Sequence, residues 1–217
     1  MSTANLNGDN WVMLGLSQLR DDAFGPSGFA LGESELIDVL VHRTTSTFWR
    51  GRMYREGQRV PRGRDFQFSD ESLAEWLGEC RARAYRRGLG TWTTAEVHVY
   101  DDRPGRLDLF DEERLERASD GEWFPGGKPS DATAWSQQLL AYPRTVDNIP
   151  AWMWDIFRAE GVTPPIYNPE FKSVDWNNRR RPVTDRGTDF TVEPTIIDPS
   201  KEPGFWTNIS RKLFGSS

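Results

Sequence analysis

Cysteine is nearly absent from this sequence, Cys80 being the only one in 217 residues. That excludes an internal disulfide and any zinc or iron–sulfur site built on several thiolates. Histidine is almost as scarce, with only His42 and His98, which leaves little for metal chemistry. Long apolar runs are missing too. Leu36 to Val41 is interrupted by Asp38, and Trp152 to Phe157 by Asp155, and both fall far short of the roughly 20 residues needed to span a bilayer. Met1 to Asn10 lacks the basic-then-apolar pattern of a secretory signal. The expectation is a cytoplasmic protein without stable membrane insertion. There is no Gly-rich phosphate loop, nucleophile elbow, paired metal-binding histidines or aspartate-rich calcium loop. No catalytic residue, cofactor or metal is therefore expected.

What the chain does have is aromatic bulk, with Trp 10, Phe 12 and Tyr 5. Each such side chain can bury about 150–250 Å², so the sequence can afford a core. Its length suits one domain with an accessory segment, or two small domains. Asp9 or Asn10 is placed to cap a helix over Asn10 to Arg20, with Trp11, Leu14 and Leu19 as its inner stripe. Glu35 to His42, with Ile37, Val39 and Val41, favours a pleated strand. Thr47 to Tyr54 alternates, setting Trp49, Gly51 and Met53 against Arg50, Arg52 and Tyr54. The stretch Arg55 to Asp65 is polar and rich in Arg, Gly and Pro, as in a protruding loop.

The spacing of Leu73, Trp76, Leu77, Cys80 and Ala84 predicts an amphipathic helix from Ser69 or Asp70 to about Arg87, before Gly88. Thr91 to Tyr100 and Arg106 to Phe110 read as a hairpin around Asp101-Asp-Arg-Pro-Gly105. Thr93, Ala95, Val97, Val99, Leu107 and Leu109 fall on its apolar face. Helical spacing returns in Ser130 to Tyr142 and again after Asn148, closing at Gly161. Beyond Trp176, Arg179 to Arg181 precede repeated Pro, Asp, Thr and Glu, which reads as a loosely draped tail. A short amphipathic pattern, Phe205, Ile209 and Leu213, ends it.

Three groups invite a chemical reading. Cys80 lies on a predicted apolar stripe, where a free cysteine packs as a small hydrophobe rather than acting as a nucleophile. His98 sits mid-strand, opposite the apolar face, with no orienting carboxylate nearby in sequence. Asp108, Asp111, Glu112 and Glu113 are acidic neighbours at a strand end, without the ligand spacing of a cation site. The arginines at 50, 52, 55, 59, 62 and 64 suggest nucleic acid, but a net charge of −6 and a pI near 5.1 argue against it. Arginines beside Tyr54, Phe66 and Phe68 suit a protein partner better. The expected contact residues are Arg55, Gln58, Arg59, Arg62, Arg64, Asp65 and Gln67.

Thr91-Trp92-Thr93-Thr94, the alternating strand after it, Gly105 and the strand ending Leu109-Phe110-Asp111 resemble the C-terminal half of the YezG-like immunity family. The resemblance covers residues 10–113 and implies a small cytoplasmic antitoxin that neutralises a secreted toxin by binding, without catalysis. It departs from that pattern in the long basic Arg55 to Asp65 stretch and in everything after Leu115. The later run Tyr142-Pro-Arg-Thr-Val-Asp-Asn-Ile-Pro-Ala-Trp-Met-Trp is similar to actinobacterial proteins encoded beside toxins, such as the immunity factor for tuberculosis necrotizing toxin. That similarity implies an NAD⁺ glycohydrolase as target and transfers no individual residue.

The expected fold is α+β: an antiparallel sheet with an amphipathic helix on one face, a helical C-terminal extension and a flexible tail. The expected divisions are a core over residues 1–113, a helical extension packed on it over 114–176, and a tail over 177–217. The expected function is an immunity protein that binds a cognate toxin domain and occludes its active site. The alternatives are an adaptor or chaperone of a specialised secretion system, docking through its C-terminal peptide, and an enzyme with an unrecognised nucleotide-related site.

Overall fold

The computed structural model describes residues 5–43, 47–60, 70–111 and 130–215, and the chain divides into two units. The first draws on residues 1–84 and 92–128, the second on residues 85–91 and 129–217. The fold is α+β, with antiparallel sheets.

In the first unit, α1 (Asn10–Phe24) is followed by β1 (Leu36–Arg43), β2 (Thr47–Arg55) and the two-residue β3 (Gln58–Arg59). Then come α2 (Asp70–Ala84), β4 (Thr94–Tyr100) and β5 (Arg106–Phe110). The strands pair in the order β3-β2-β1-β4-β5. Because side chains alternate along a strand, Ile37, Val39 and Val41 of β1 share one face with Ala95, Val97 and Val99 of β4 and with Leu107 and Leu109 of β5. All are buried. The two helices lay their apolar stripes into the same cluster. On α2 these are Leu73, Trp76, Leu77, Cys80 and Ala84, as the three-four spacing predicts.

On α1 the stripe is Val12, Leu16, Leu19 and Ala23, whereas Trp11 and Leu14, expected inside, are 39% and 66% exposed. Small residues decide this phase. A Cβ at Gly15 would lie 2.0 Å from the Trp76 indole, so α1 can bring this side close to α2 only with glycine at that position.

The expected extension of α2 to Arg87 stops at Ala84, because the chain reverses there. Arg86 and Gly90 exchange backbone hydrogen bonds (3.0 and 2.9 Å), with Gly88 and Gly90 at φ of +74° and +84°, a conformation that favours glycine. This turn belongs to the second unit. The Gly88 carbonyl accepts from Thr145 N–H (2.8 Å) and Asn148 Nδ2 (3.0 Å), and the buried Arg144 donates to the Thr91 carbonyl (2.6 Å).

The second unit continues with α3 (Ala132–Ala141), α4 (Ala151–Glu160), β6 (Ile166–Asn168), β7 (Ser173–Trp176), β8 (Arg179–Thr184), β9 (Gly187–Thr188), β10 (Thr195–Ile196) and α5 (Pro203–Phe214). Gly161 closes α4 in the left-handed conformation, as expected. Strands pair in the order β10-β8-β7-β6, with β9 also on β8.

Residues 177–215, the described part of the expected tail, are thus not draped loosely. Asn177 and Asn178, at φ of +48° and +56°, make the tight turn from β7 to β8, which pairs Trp176 with Arg179. Ile209 and Leu213 of α5 are buried with Trp135, Met153, Phe157 and Ile166. Ile209 and Leu213 of the terminal amphipathic pattern therefore dock on their own unit. The second unit has an apolar cluster of its own.

Candidate functional site

The face of the first sheet turned away from its apolar core holds a charged cluster. Alternation turns Asp38 of β1, Glu96, His98 and Tyr100 of β4, and Arg106 and Asp108 of β5 away from the core. Register then sets them side by side. Asp38 faces His98, His98 faces Arg106, and Glu96 faces Asp108.

The half-buried His98 is the centre of this cluster. Its Nδ1 lies 2.6 Å from Asp38 Oδ1, and its Nε2 lies 3.3 Å from Asp108 Oδ2 and 4.0 Å from Glu96 Oε2. A carboxylate only accepts hydrogen bonds, so Nδ1 donates its N–H to Asp38. Arg106 donates to Asp108 Oδ2 at 2.7 Å, with the same nitrogen 3.4 Å from His98 Nε2. Tyr100 stacks beside the imidazole and carries the Arg103 guanidinium 3.8 Å above its own ring. The hydrogen bond to Asp38 raises the His98 pKa above its ordinary value. Burial opposes this, the Asp38 charge reinforces it, Arg106 opposes it and Asp108 reinforces it.

The face on which His98 lies was legible in the sequence, but its partners were not. Asp38 is 60 positions away. Asp108, grouped by sequence with Asp111, Glu112 and Glu113, is joined in space to His98 and Glu96. Glu112 and Glu113 lie outside the described residues.

The second feature is the sheet edge. The stretch expected to be a loop from Arg55 begins as a β2–β3 hairpin, with Arg55 opposite Gln58 and Tyr54 opposite Arg59. Glu56 and Gly57, at φ of +51° and +73°, form the two-residue turn whose twist suits such a hairpin. Residues 55–59 are all exposed. Two bonds fix the tip: Arg55 donates to the Gly32 carbonyl (3.2 Å), and Glu56 N–H donates to Glu35 Oε2 (3.1 Å). Of the expected contact residues, the structure brings Arg55, Gln58 and Arg59 together. Arg62, Arg64, Asp65 and Gln67 lie outside the described residues.

Cys80 is fully buried in the first core. Burial pushes its thiol up to about 12, with the Asp9 and Glu79 charges adding to the effect, so almost no thiolate exists at neutral pH.

In the second unit the densest polar cluster ties the chain's last third together. Arg180 of β8 binds the buried Asp175 of β7 (2.8 and 2.5 Å) and Glu202, just before α5 (2.8 and 2.6 Å). Asn168 and Ser173 donate to the remaining lone pairs of Asp175, and the Arg180 guanidinium lies 3.8 Å over the Phe171 ring. Every group in this cluster is spent on another, which is the arrangement of a structural tie.

Among the described residues no helix is long and apolar enough to cross a membrane. No family model, curated protein or solved structure matches this chain.

Proposed function

We propose that this chain is an immunity protein that binds a toxin domain and occludes its active site, with the β2–β3 hairpin as a principal contact. The observation that carries this reading is the exposed hairpin tip at residues 55–59. Its turn is built from two positive-φ residues and tied down by Arg55 and Glu56. A preorganised tip loses little conformational entropy on binding, and arginine and tyrosine are enriched where proteins meet. Among the described residues the edge strand is only two residues long and carries Arg59, which discourages indiscriminate strand pairing. The resemblance to immunity proteins supplies the partner class, a toxin domain, and NAD⁺ glycohydrolase as its activity.

The adaptor reading relied on a free apolar peptide at the C-terminus, and the burial of Ile209 and Leu213 weakens that argument.

The test is co-expression with the toxic domain encoded by a neighbouring reading frame. The chain should restore growth and co-purify with that domain, and the triple variant Arg55→Ala, Gln58→Ala, Arg59→Ala should lose both effects while its thermal midpoint stays put. Absence of binding by the unaltered chain overturns the immunity reading. Undiminished binding by the triple variant removes the hairpin from the interface.

A further inference from the structure

We propose that Glu96, His98 and Asp108 form a tripodal site for a divalent transition-metal cation of the zinc class, with Asp38 orienting the imidazole and Arg106 as the group the metal displaces. This is independent of the immunity reading.

Residues i and i+2 of a strand project to the same face, and a directly paired residue of the next strand reaches the same space. Glu96 and His98 are such a pair on β4, and Asp108 is the partner of Glu96 on β5. One ligand atom from each of the three lies within 4.8 Å of the others. Bonds of about 2.0–2.2 Å to a tetrahedral zinc set neighbouring ligand atoms about 3.3–3.6 Å apart. The His98 Nε2 to Asp108 Oδ2 distance is already 3.3 Å. The Glu96 oxygen lies 4.0 Å from His98 Nε2.

The cluster differs from an ordinary group of surface acids in the way its imidazole is held. Metal-binding histidines commonly donate their second nitrogen to a carboxylate, which fixes the ring and raises its basicity. Asp38 takes that part here, leaving Nε2 directed at Glu96 and Asp108. One imidazole with two carboxylates suits zinc, manganese or cobalt better than calcium or magnesium, which favour oxygen-only ligands. Three protein ligands leave a position for water or a partner's group.

Arg106 stands where positive charge is wanted, next to both Asp108 Oδ2 and His98 Nε2. Its side chain is 55% exposed, and an exposed ion pair of that kind is weak, so the guanidinium can swing into solvent when a divalent ion arrives.

The experiment uses the full chain, stripped with a chelator and titrated with Zn²⁺ by calorimetry and with Co²⁺ by visible absorption. Because there are only two histidines, ¹⁵N-imidazole NMR reads His98 directly. The expected result is one saturable site, intense four-coordinate cobalt bands and a displaced His98 Nε2 resonance. His98→Gln should abolish these signals, Asp38→Asn should weaken binding by about 10–100-fold, and Arg106→Gln should tighten it. Should His98→Gln fail to fold, Arg106→Gln and the NMR of the unaltered chain still decide the matter. A weak, non-saturating titration, or a His98 resonance that ignores the metal, overturns the site.

Discussion

Asp9 divides its carboxylate between two helices. Oδ1 accepts from the N–H groups of Trp11 and Val12 at the start of α1 (2.8 and 3.3 Å), and Oδ2 accepts from Arg83 near the end of α2 (3.1 Å). Arg83 also binds Glu79 at 2.8 Å and lies over the Trp11 ring. One residue thus caps a helix and ties it to its neighbour.

Burial works against the charge on Asp9, but the Val12 and Trp11 N–H groups and the Arg83 guanidinium outweigh it and hold the carboxyl below its ordinary value. A carboxylate whose pKa is depressed on folding adds stability above its unfolded value, near about 3.9. That stability is lost as pH falls through the lower folded value. Asp9→Ala should therefore lower stability at pH 7 by about 1–2 kcal/mol, mostly through the lost cap, and the gap to the unaltered chain should shrink at pH 3. Asp9→Asn should cost less, since asparagine still caps. Urea titrations at the two pH values measure both.

Cys80 is expected to be structural. Cys80→Ala should cost about 1–2 kcal/mol, as for the loss of a small buried group, and leave partner binding intact. In the unaltered chain a thiol reagent should react at the rate of unfolding, because both burial and the raised pKa suppress the thiolate. Rapid labelling of the native chain would contradict this.

Removing the centre of the second unit's polar tie should be severe. Arg180→Leu leaves the buried Asp175 and the half-buried Glu202 facing each other without their shared cation. Breaking a buried pair on one side costs about 3–5 kcal/mol. Denaturant unfolding should report a loss in that range, and a loss under about 1 kcal/mol would reclassify the tie as an exposed pair.

The segment after Trp176 should be needed for the second unit to fold. Leu213→Ala and Ile209→Ala each delete a side chain buried in that unit's core and should cost about 2–4 kcal/mol. Truncation after Trp176 removes β8, β9, β10 and α5 together, and should cost the chain its soluble expression. A truncated chain with an unchanged thermal midpoint would restore the reading of this segment as a dispensable tail.

Where the pattern is local, sequence alone determined the outcome. Val97, Val99, Leu107 and Leu109 alternate around a Pro-Gly turn, and Leu73, Trp76, Leu77, Cys80 and Ala84 recur at helical spacing, so hairpin and helix were legible with their buried faces. The inner stripe of α1 was not. Trp11 and Leu14 are more apolar than Gly15, but it is the close approach of Trp76 to Gly15 that selects the face. The segment from Arg179 read as a draped tail because what orders it, such as Glu202 reaching Arg180 across 22 positions, leaves no local pattern. His98 likewise takes Asp38 from across a strand pairing of 60 positions. Periodicity is a property of neighbours along the chain, whereas strand register and charge compensation exist only once distant segments have paired. The cluster around His98 and the ordering of the last forty residues were therefore decided by the tertiary structure.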